Sequence, residues 1–393
     1  VFLDEVTLLD DFIDGAALFS DIFAASGMRI VLSGTDSLGF LFTEDEQLYD
    51  RCILLHTTFI PYREFESVLG IHGIDEYIRY GGTMSLGGVH YNESSTFASK
   101  ERADKYVDTA IAHNIQHSLR CYQYEDHFRN LRDLYDKNEL TSAINRVVED
   151  INHRFTLEVL TQDFKSYDLG VSANNLRRDR SNPIVTDRLR DLLEILNKSE
   201  QTVVLDEDHA AEIKEYLDLL DLTRDIDIRH LPKVNTKSTR TVIAQPGLRY
   251  AQASALIHSL LLDEAFGALS LLERTAVQER ILTEIKGRML EDIVLLETKI
   301  ANPGKEVFVL QFPIGEFDMV VFDPAAGSCQ IFEIKHSREI APFQYRHLID
   351  SEKCTQTEHR YGTITGKFVL YRGEDQILNG IQYQNVEEYL RNL

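Results

Sequence analysis

The chain has 393 residues, 43% apolar and 27% charged, long for one domain and rich enough in apolar side chains to build sizeable cores, which excludes a disordered or fibrous class. Its 41 basic against 64 acidic residues give a formal charge of −23, which excludes a general nucleic-acid coat; DNA contact would need local basic patches or metal ions. The longest apolar run, 251–262, is interrupted by His258 and falls short of the roughly 18 residues a bilayer span requires, so no membrane partner is predicted.

Short apolar strands and helices alternate over residues 1–60. Val1-Phe2-Leu3 reads as a strand, 10–26 as a helix, 28–32 as a strand, 44–49 as a helix and 52–60 as a strand. Parallel strands need crossover helices, so this alternation predicts a parallel α/β sheet. The first strand ends in Asp4-Glu5, the form of a Walker B motif, in which Asp4 holds the Mg²⁺ of a nucleotide and Glu5 polarises the attacking water. An Asp-Glu pair that merely caps a helix reads the same way. The next strand ends in Ser33-Gly34-Thr35-Asp36-Ser37, where Thr35 is the predicted γ-phosphate sensor. Arg51 follows as either an arginine finger or a surface ion-pair partner. No G-x-x-x-x-G-K-[ST] occurs, so the phosphate cradle is lacking in these residues. Starting at Val1 in strand character, the chain reads as part of a longer protein, and ATP is predicted as a ligand of that full-length protein only.

Residues 61–231 read as helical, with Ile213, Leu217 and Leu220 on one stripe of a helix over 210–222. Loops are predicted at 81–95 and 234–238. Arg177, Arg178, Arg180, Arg188 and Arg190 follow a helix-turn-helix-like pattern at 171–175, but Asp179, Asp187 and Asp191 interleave with them; DNA phosphates and a salt-bridged surface are both open readings. From Thr239 a strand, two helices and several strands follow, ending in a short helix over 385–392. The four cysteines (Cys52, Cys121, Cys329, Cys354) form no C-x-x-C pair and read as reduced thiols, which with the absence of a signal peptide predicts a cytoplasmic protein.

The densest chemistry lies between Gly287 and Lys335. Glu291 sits on a helix, Asp318 on an apolar strand, and Phe332-Glu333-Ile334-Lys335 on another. Strand alternation projects Glu333 and Lys335 to one face and Phe332 and Ile334 to the other. A lone E-x-K is usually a solvated strand face. Asp318 fifteen residues earlier and Glu291 on the preceding helix give it the layout of a metal-dependent phosphodiesterase site. There Asp318 and Glu333 would ligate Mg²⁺ or Mn²⁺, Glu291 would be a further ligand or orient the water, and Lys335 would position the nucleophile or stabilise the phosphorane. Glu297 reads as a structural helix charge and His336 as incidental.

These segments, taken with Phe59-Ile60-Pro61-Tyr62-Arg63-Glu64-Phe65, Tyr77-Ile78-Arg79-Tyr80-Gly81-Gly82 and Gln245-Pro246-Gly247-Leu248-Arg249-Tyr250, resemble a bacterial and archaeal family of AAA-type ATPases with a C-terminal restriction-endonuclease-like, PD-(D/E)xK domain. The departures are the missing P-loop, Gln245 where Asp is usual, Thr298 where Leu is common, and Phe317-Asp318 in place of Val-Asp. The resemblance implies an α/β chain in three parts: a partial ATPase core over 1–60, a helical lid with a winged-helix-like portion over 61–238, and a nuclease-like domain over 239–393. It implies ATP hydrolysis coupled to metal-dependent cleavage of nucleic acid, with DNA and further copies of the chain as partners. The competing reading is a nucleotide-switched DNA- or protein-binding module on a degenerate nuclease fold.

Overall fold

The computed structural model describes residues 1–9, 11–34, 39–40, 47–48, 50–55, 60–69, 72–81, 128–162, 205–232, 237–262 and 270–393. Thr35 and the 171–190 basic segment lie outside them, as do most of the two predicted loops and of the 44–49 helix. The chain is mixed α/β and divides into two compact units: one within Val1–Phe59, Glu101–Glu149 and Glu200–Thr223, the other within Ile60–Lys100, Asp150–Ser199 and Arg224–Leu393. This division does not follow the predicted 1–60, 61–238 and 239–393 partition, because the early helices α2 (Tyr62–Leu69) and α3 (Ile74–Tyr80) belong to the same unit as the C-terminal sheet.

In the first unit, β1 (Phe2–Leu3) pairs in parallel with β2 (Val31–Leu32), Phe2 opposite Val31 and Leu3 opposite Leu32. The predicted helix over 10–26 is instead a short α1 (Phe12–Gly15) followed by a π-helical turn at Phe19–Ala24, with Gly15 weakening the helix between them. Cys52–Leu55 forms no strand and leaves Ile53 88% and Leu55 79% exposed, so the third predicted strand is not formed over those residues. Also in this unit, α4 (Arg129–Asp136), followed in the chain by α5 (Leu140–Gln162), packs on α6 (Glu207–Leu219), where Ile213, Tyr216, Leu217 and the following Leu220 are buried. Asp206 caps α6 by accepting from the His209 amide at 2.8 Å.

The second unit is built on an eight-stranded sheet. Its strands are β3 (Thr223–His230), β4 (Lys237–Ile243), β5 (Glu306–Gln311), β6 (Glu316–Asp323), β7 (Ser328–Ile334), β8 (Thr363–Tyr371), β9 (Gln376–Leu378) and β10 (Ile381–Asn385), in spatial order 4-3-5-6-7-8-10-9. Strand β3 falls inside the stretch predicted to be helical; Ile226 and Ile228 alternate with polar residues there, a period of two that a helix cannot use. Strands β5, β6 and β7 form an antiparallel meander, and β8 runs parallel to β7. The β7–β8 crossover holds α9 (Ser351–Tyr361), capped by Asp350, which accepts from the amides of Glu352 and Lys353.

Helices α7 (Pro246–Leu261), α8 (Leu271–Ala301) and α10 (Val386–Arg391), with α2 and α3, enclose one core with Val307, Val309, Met319, Val321, Phe332, Ile334 and Leu370. The other face joins Phe308, Leu310, Phe317, Val320, Ile331 and Val369 to Tyr345, Leu348 and Tyr361. Helix α8 starts in a Ser270/Glu273 capping box, and from Met289 to Thr298 it is buried almost all round. That depth is why three of its acids, Glu291, Asp292 and Glu297, need internal partners. Among the described residues no helix is long and apolar enough to cross a membrane.

Candidate active site

The site begins with an irregularity in β6. Leu310 pairs with Phe317 and Phe308 with Val320, so Asp318 and Met319 both stand opposite the single residue Val309. This is a β-bulge, a device that re-aims a side chain. Its effect is visible in the cores: Phe317 and Val320, three residues apart, share one, while Met319 enters the other. The β6–β7 ladder ends at the Met319–Phe332 pair, and past that point the Asp318 carboxylate takes over. Asp318 Oδ2 accepts the Ile334 amide at 2.7 Å.

Lys335, one residue beyond β7, is held by its amide, which donates to the Leu370 carbonyl at 2.8 Å. Its Nζ lies 2.7 Å from Asp318 Oδ2 and 2.8 Å from Glu333 Oε2. Phe332 and Ile334 point into the helix-covered core. Glu333 and Asp318 are buried, and Glu333 Oε1 has no hydrogen-bond partner among the described residues. Burial pushes Glu333 up to about 8, assisted by the Asp318 charge and opposed by Lys335. Lys335 itself is held well above its usual range: burial works against its charge, but Asp318, Glu333 and Glu291 outweigh burial.

Glu291 joins the same electrostatic group from α8. Burial pushes it up to about 8, opposed by Arg288, with Asp318 raising it further and Lys335 lowering it. Its Oε2 accepts from Arg288 Nη1 at 2.5 Å, and that guanidinium also reaches Glu316 at 3.4 Å. Two side chains without any local sequence signal approach from the α9 side. Lys353 Nζ sits 2.5 Å from His347 Nδ1; burial holds both below their usual ranges, opposed at Lys353 by Asp350 and Glu333 and at His347 by Asp318. Gly315 makes room for both: with φ at +78°, any Cβ there would lie 2.5 Å from His347 Cε1 and 3.0 Å from Lys353 Nζ.

The structure thus brings Asp318, Glu333 and Lys335 into direct contact and Glu291 into their electrostatic field. Among the described residues no group of three or more His, Cys, Asp or Glu side chains is arranged to hold a metal ion. A two-acid set still fits Mg²⁺, which binds through one or two carboxylates and completes its shell with water and substrate phosphate. The unpartnered Glu333 Oε1 is the oxygen such an ion would use, and Lys335 is the cation now standing between the two acids.

The other predicted residues are placed differently. Asp4 and Ser33 meet at the ends of the parallel strands β1 and β2, the Ser33 hydroxyl donating to Asp4 Oδ1, which also accepts the Glu5 amide at 3.1 Å. Glu5 adopts a left-handed backbone at φ 52°. Arg51 pairs with Asp21 at 2.9 Å, both about half-exposed, the surface ion-pair alternative. Glu297 accepts the Tyr62 amide at 2.9 Å and a further bond from Tyr77, a structural role at the start of α2. His336 is not incidental: its Nε2 lies 2.9 Å from Asp75 Oδ1. No protein-family model, curated protein or solved structure matches the chain.

Proposed function

We propose that the unit built on the eight-stranded sheet is a metal-dependent phosphodiesterase that cuts nucleic acid. The observation that carries this reading is the single ammonium of Lys335 between Asp318 and Glu333, at 2.7 and 2.8 Å, on a bulge and a strand end. The order α8–β5–β6–β7–α9–β8, with an antiparallel meander and a parallel fourth strand, supports a restriction-endonuclease-like fold for this unit.

Asp318 and Glu333 would hold Mg²⁺ or Mn²⁺. The bound ion would lower the pKa of a water and neutralise charge developing on the phosphate. Lys335 Nζ supplies the ammonium that pairs with a phosphoryl oxygen. Glu291, anchored through Oε2 to Arg288, keeps a proton at its carboxyl near neutral pH and is placed to give it up or take it back.

Plasmid incubated with the full chain and Mg²⁺ or Mn²⁺ should be nicked, and Asp318→Ala and Lys335→Ala should each abolish nicking. Cutting that survives both substitutions overturns the assignment. A binding module without catalysis is favoured by one observation, the Lys335 ammonium already bridging both acids; nicking absent under all conditions would support it. For the first unit we infer nucleotide hydrolysis in the full-length protein, supported by Asp4 and Ser33 meeting at the ends of two parallel strands. Glu5→Gln in a protein carrying a P-loop upstream should stop turnover, and unchanged turnover would remove the inference.

A further inference from the structure

Beside the acid cluster, within the same unit, three basic side chains converge on one carboxylate. Arg372 Nη2 lies 2.7 Å from Asp75 Oδ2, His336 Nε2 lies 2.9 Å from Asp75 Oδ1, and Lys286 Nζ lies 4.0 Å from Asp75 Oδ1. Arg79, one turn along α3, is close enough to Lys286 for its charge to oppose the Lys286 proton. The basic groups are the more buried partners, at 14%, 11% and 21% exposure for Arg372, His336 and Lys286, against 35% for Asp75. The acid is therefore the most exposed member of the group, and Arg372 Nη1 also lies 3.3 Å from His336 Nε2. Arg372 Nε is buried with no hydrogen-bond partner among the described residues, a donor that Asp75 does not engage in this arrangement.

The location ties this group to the proposed site. His336 follows Lys335 directly. The Arg372 amide donates to the Ser337 carbonyl at 2.9 Å, so the pairing of β7 with β8 continues past both residues. Lys286 precedes Glu291 by five residues of α8, about 7.5 Å of helix. A Cβ on Gly287 would lie 3.9 Å from His336 Cβ, which fixes how closely α8 approaches this strand end. Alternation turns His336 toward the α8 side while Lys335 reaches the acids. A polymer crossing the ends of β7 and β8 meets both groups.

We propose that Lys286, His336 and Arg372 form a binding site for a backbone phosphate of the nucleic-acid strand, next to the one that is cut, and that Asp75 occupies this site as an internal stand-in for the phosphate. A phosphodiester matches the carboxylate in charge and in its two free oxygens, and a strand that enters must displace Asp75. The identity of the strand rests on the nuclease reading; the anion site and its plug rest on the Asp75 cluster alone.

The test is fluorescence anisotropy of a labelled single-stranded oligonucleotide with the full chain in EDTA, where no cutting can occur. Asp75→Asn should bind about fivefold tighter or more than wild type, because a like charge facing the phosphate is gone. Adding Lys286→Gln or Arg372→Gln to Asp75→Asn should cancel that gain, and Lys286→Gln should flatten the logarithmic salt slope by about 0.7. Equal affinity of wild type and Asp75→Asn overturns the proposal, provided their thermal melts coincide. If Arg372→Gln does not fold, the Lys286→Gln variant decides. Inorganic phosphate that displaces the oligonucleotide at micromolar concentration would mark a site for free phosphate and overturn the strand assignment. Failure to nick plasmid would sink the nuclease reading without changing the ranking of these variants.

Discussion

The pH dependence of stability around Glu333 tests the electrostatics of the site most directly. Its carboxyl is pushed from 4.5 up to about 8, first by burial and then by Asp318. Folded protein therefore holds a proton that the unfolded chain has released anywhere between these two values, and stability falls as pH rises through that window. Each pKa unit is worth about 1.4 kcal/mol, so a full shift corresponds to on the order of 5 kcal/mol. Glu291 moves the same way and shares Asp318 and Lys335 with Glu333, so the two losses overlap, and the pair together gives several kcal/mol. Glu333→Gln removes the titration while keeping the shape. In urea unfolding followed by circular dichroism in EDTA, wild type and Glu333→Gln should match near pH 5.5. At pH 8.5 the variant should be the more stable by about 2–4 kcal/mol. Millimolar Mn²⁺ should reverse that order at pH 8.5, because an ion bound to the folded state stabilises it by mass action. A variant less stable than wild type at pH 8.5 in EDTA would refute the reasoning: Glu333 would then be an ionised partner of Lys335 that stabilises the fold.

Substitutions at four positions probe the surroundings. Gly315→Ala should lower stability by about 2 kcal/mol or more in urea unfolding, because its φ is positive and its Cβ would strike His347 and Lys353. Gly287→Ala should raise stability by about 0.5–1 kcal/mol, since the new Cβ meets nothing nearer than 3.9 Å within a helix, as thermal melts would show. Glu297→Ala should cost about 1–3 kcal/mol by stranding the Tyr62 amide, whereas Glu297→Gln, isosteric with a carboxyl that burial pushes up to about 8, should lie near wild type. Arg249→Met should cost about 3–5 kcal/mol, because it removes a buried partner 2.6 Å from Asp292 and a cation 3.6 Å from the Phe155 ring.

Local periodicity made much of this legible. The alternation in Phe332-Glu333-Ile334-Lys335 is enough to put Glu333 and Lys335 together, and the short final helix and the stripe through Ile213 and Leu217 follow from spacing in the same way. What spacing cannot carry is register. The bulge that turns Asp318 depends on how β5 meets β6, a non-local match that no run of residues around Asp318 announces. Lys353, His347, Arg372 and Asp75 were invisible for the same reason: each reaches its partners through the folded sheet, and Asp75 lies 261 residues from His336. Strand β3 was misread because its apolar residues are few, and the Cys52–Leu55 strand because apolar content alone does not supply a pairing partner.

The Lys335 group differs from the other buried acids of the second unit in how completely its carboxylates are matched. Asp292 is matched by two guanidinium groups, Arg240 and Arg249. Glu66 receives Arg391, the Tyr62 hydroxyl and the Gly73 amide, which together hold it down at about 2 despite burial. Glu297 has a backbone and a phenolic donor. Each of these is a closed arrangement of the kind that buried polar groups require. Around Lys335 four acids, Glu291, Glu316, Asp318 and Glu333, face the cations Lys335 and Arg288, two of the acids are pushed up to about 8, and one buried carboxylate oxygen has no partner. Apolar residues of similar volume would often be no less stabilising at such a place than an incompletely paired charge group. The fold supplies donors to its other buried acids and gives none to Glu333 Oε1 among the described residues, and that one unmatched oxygen is the observation on which the proposed cation site rests.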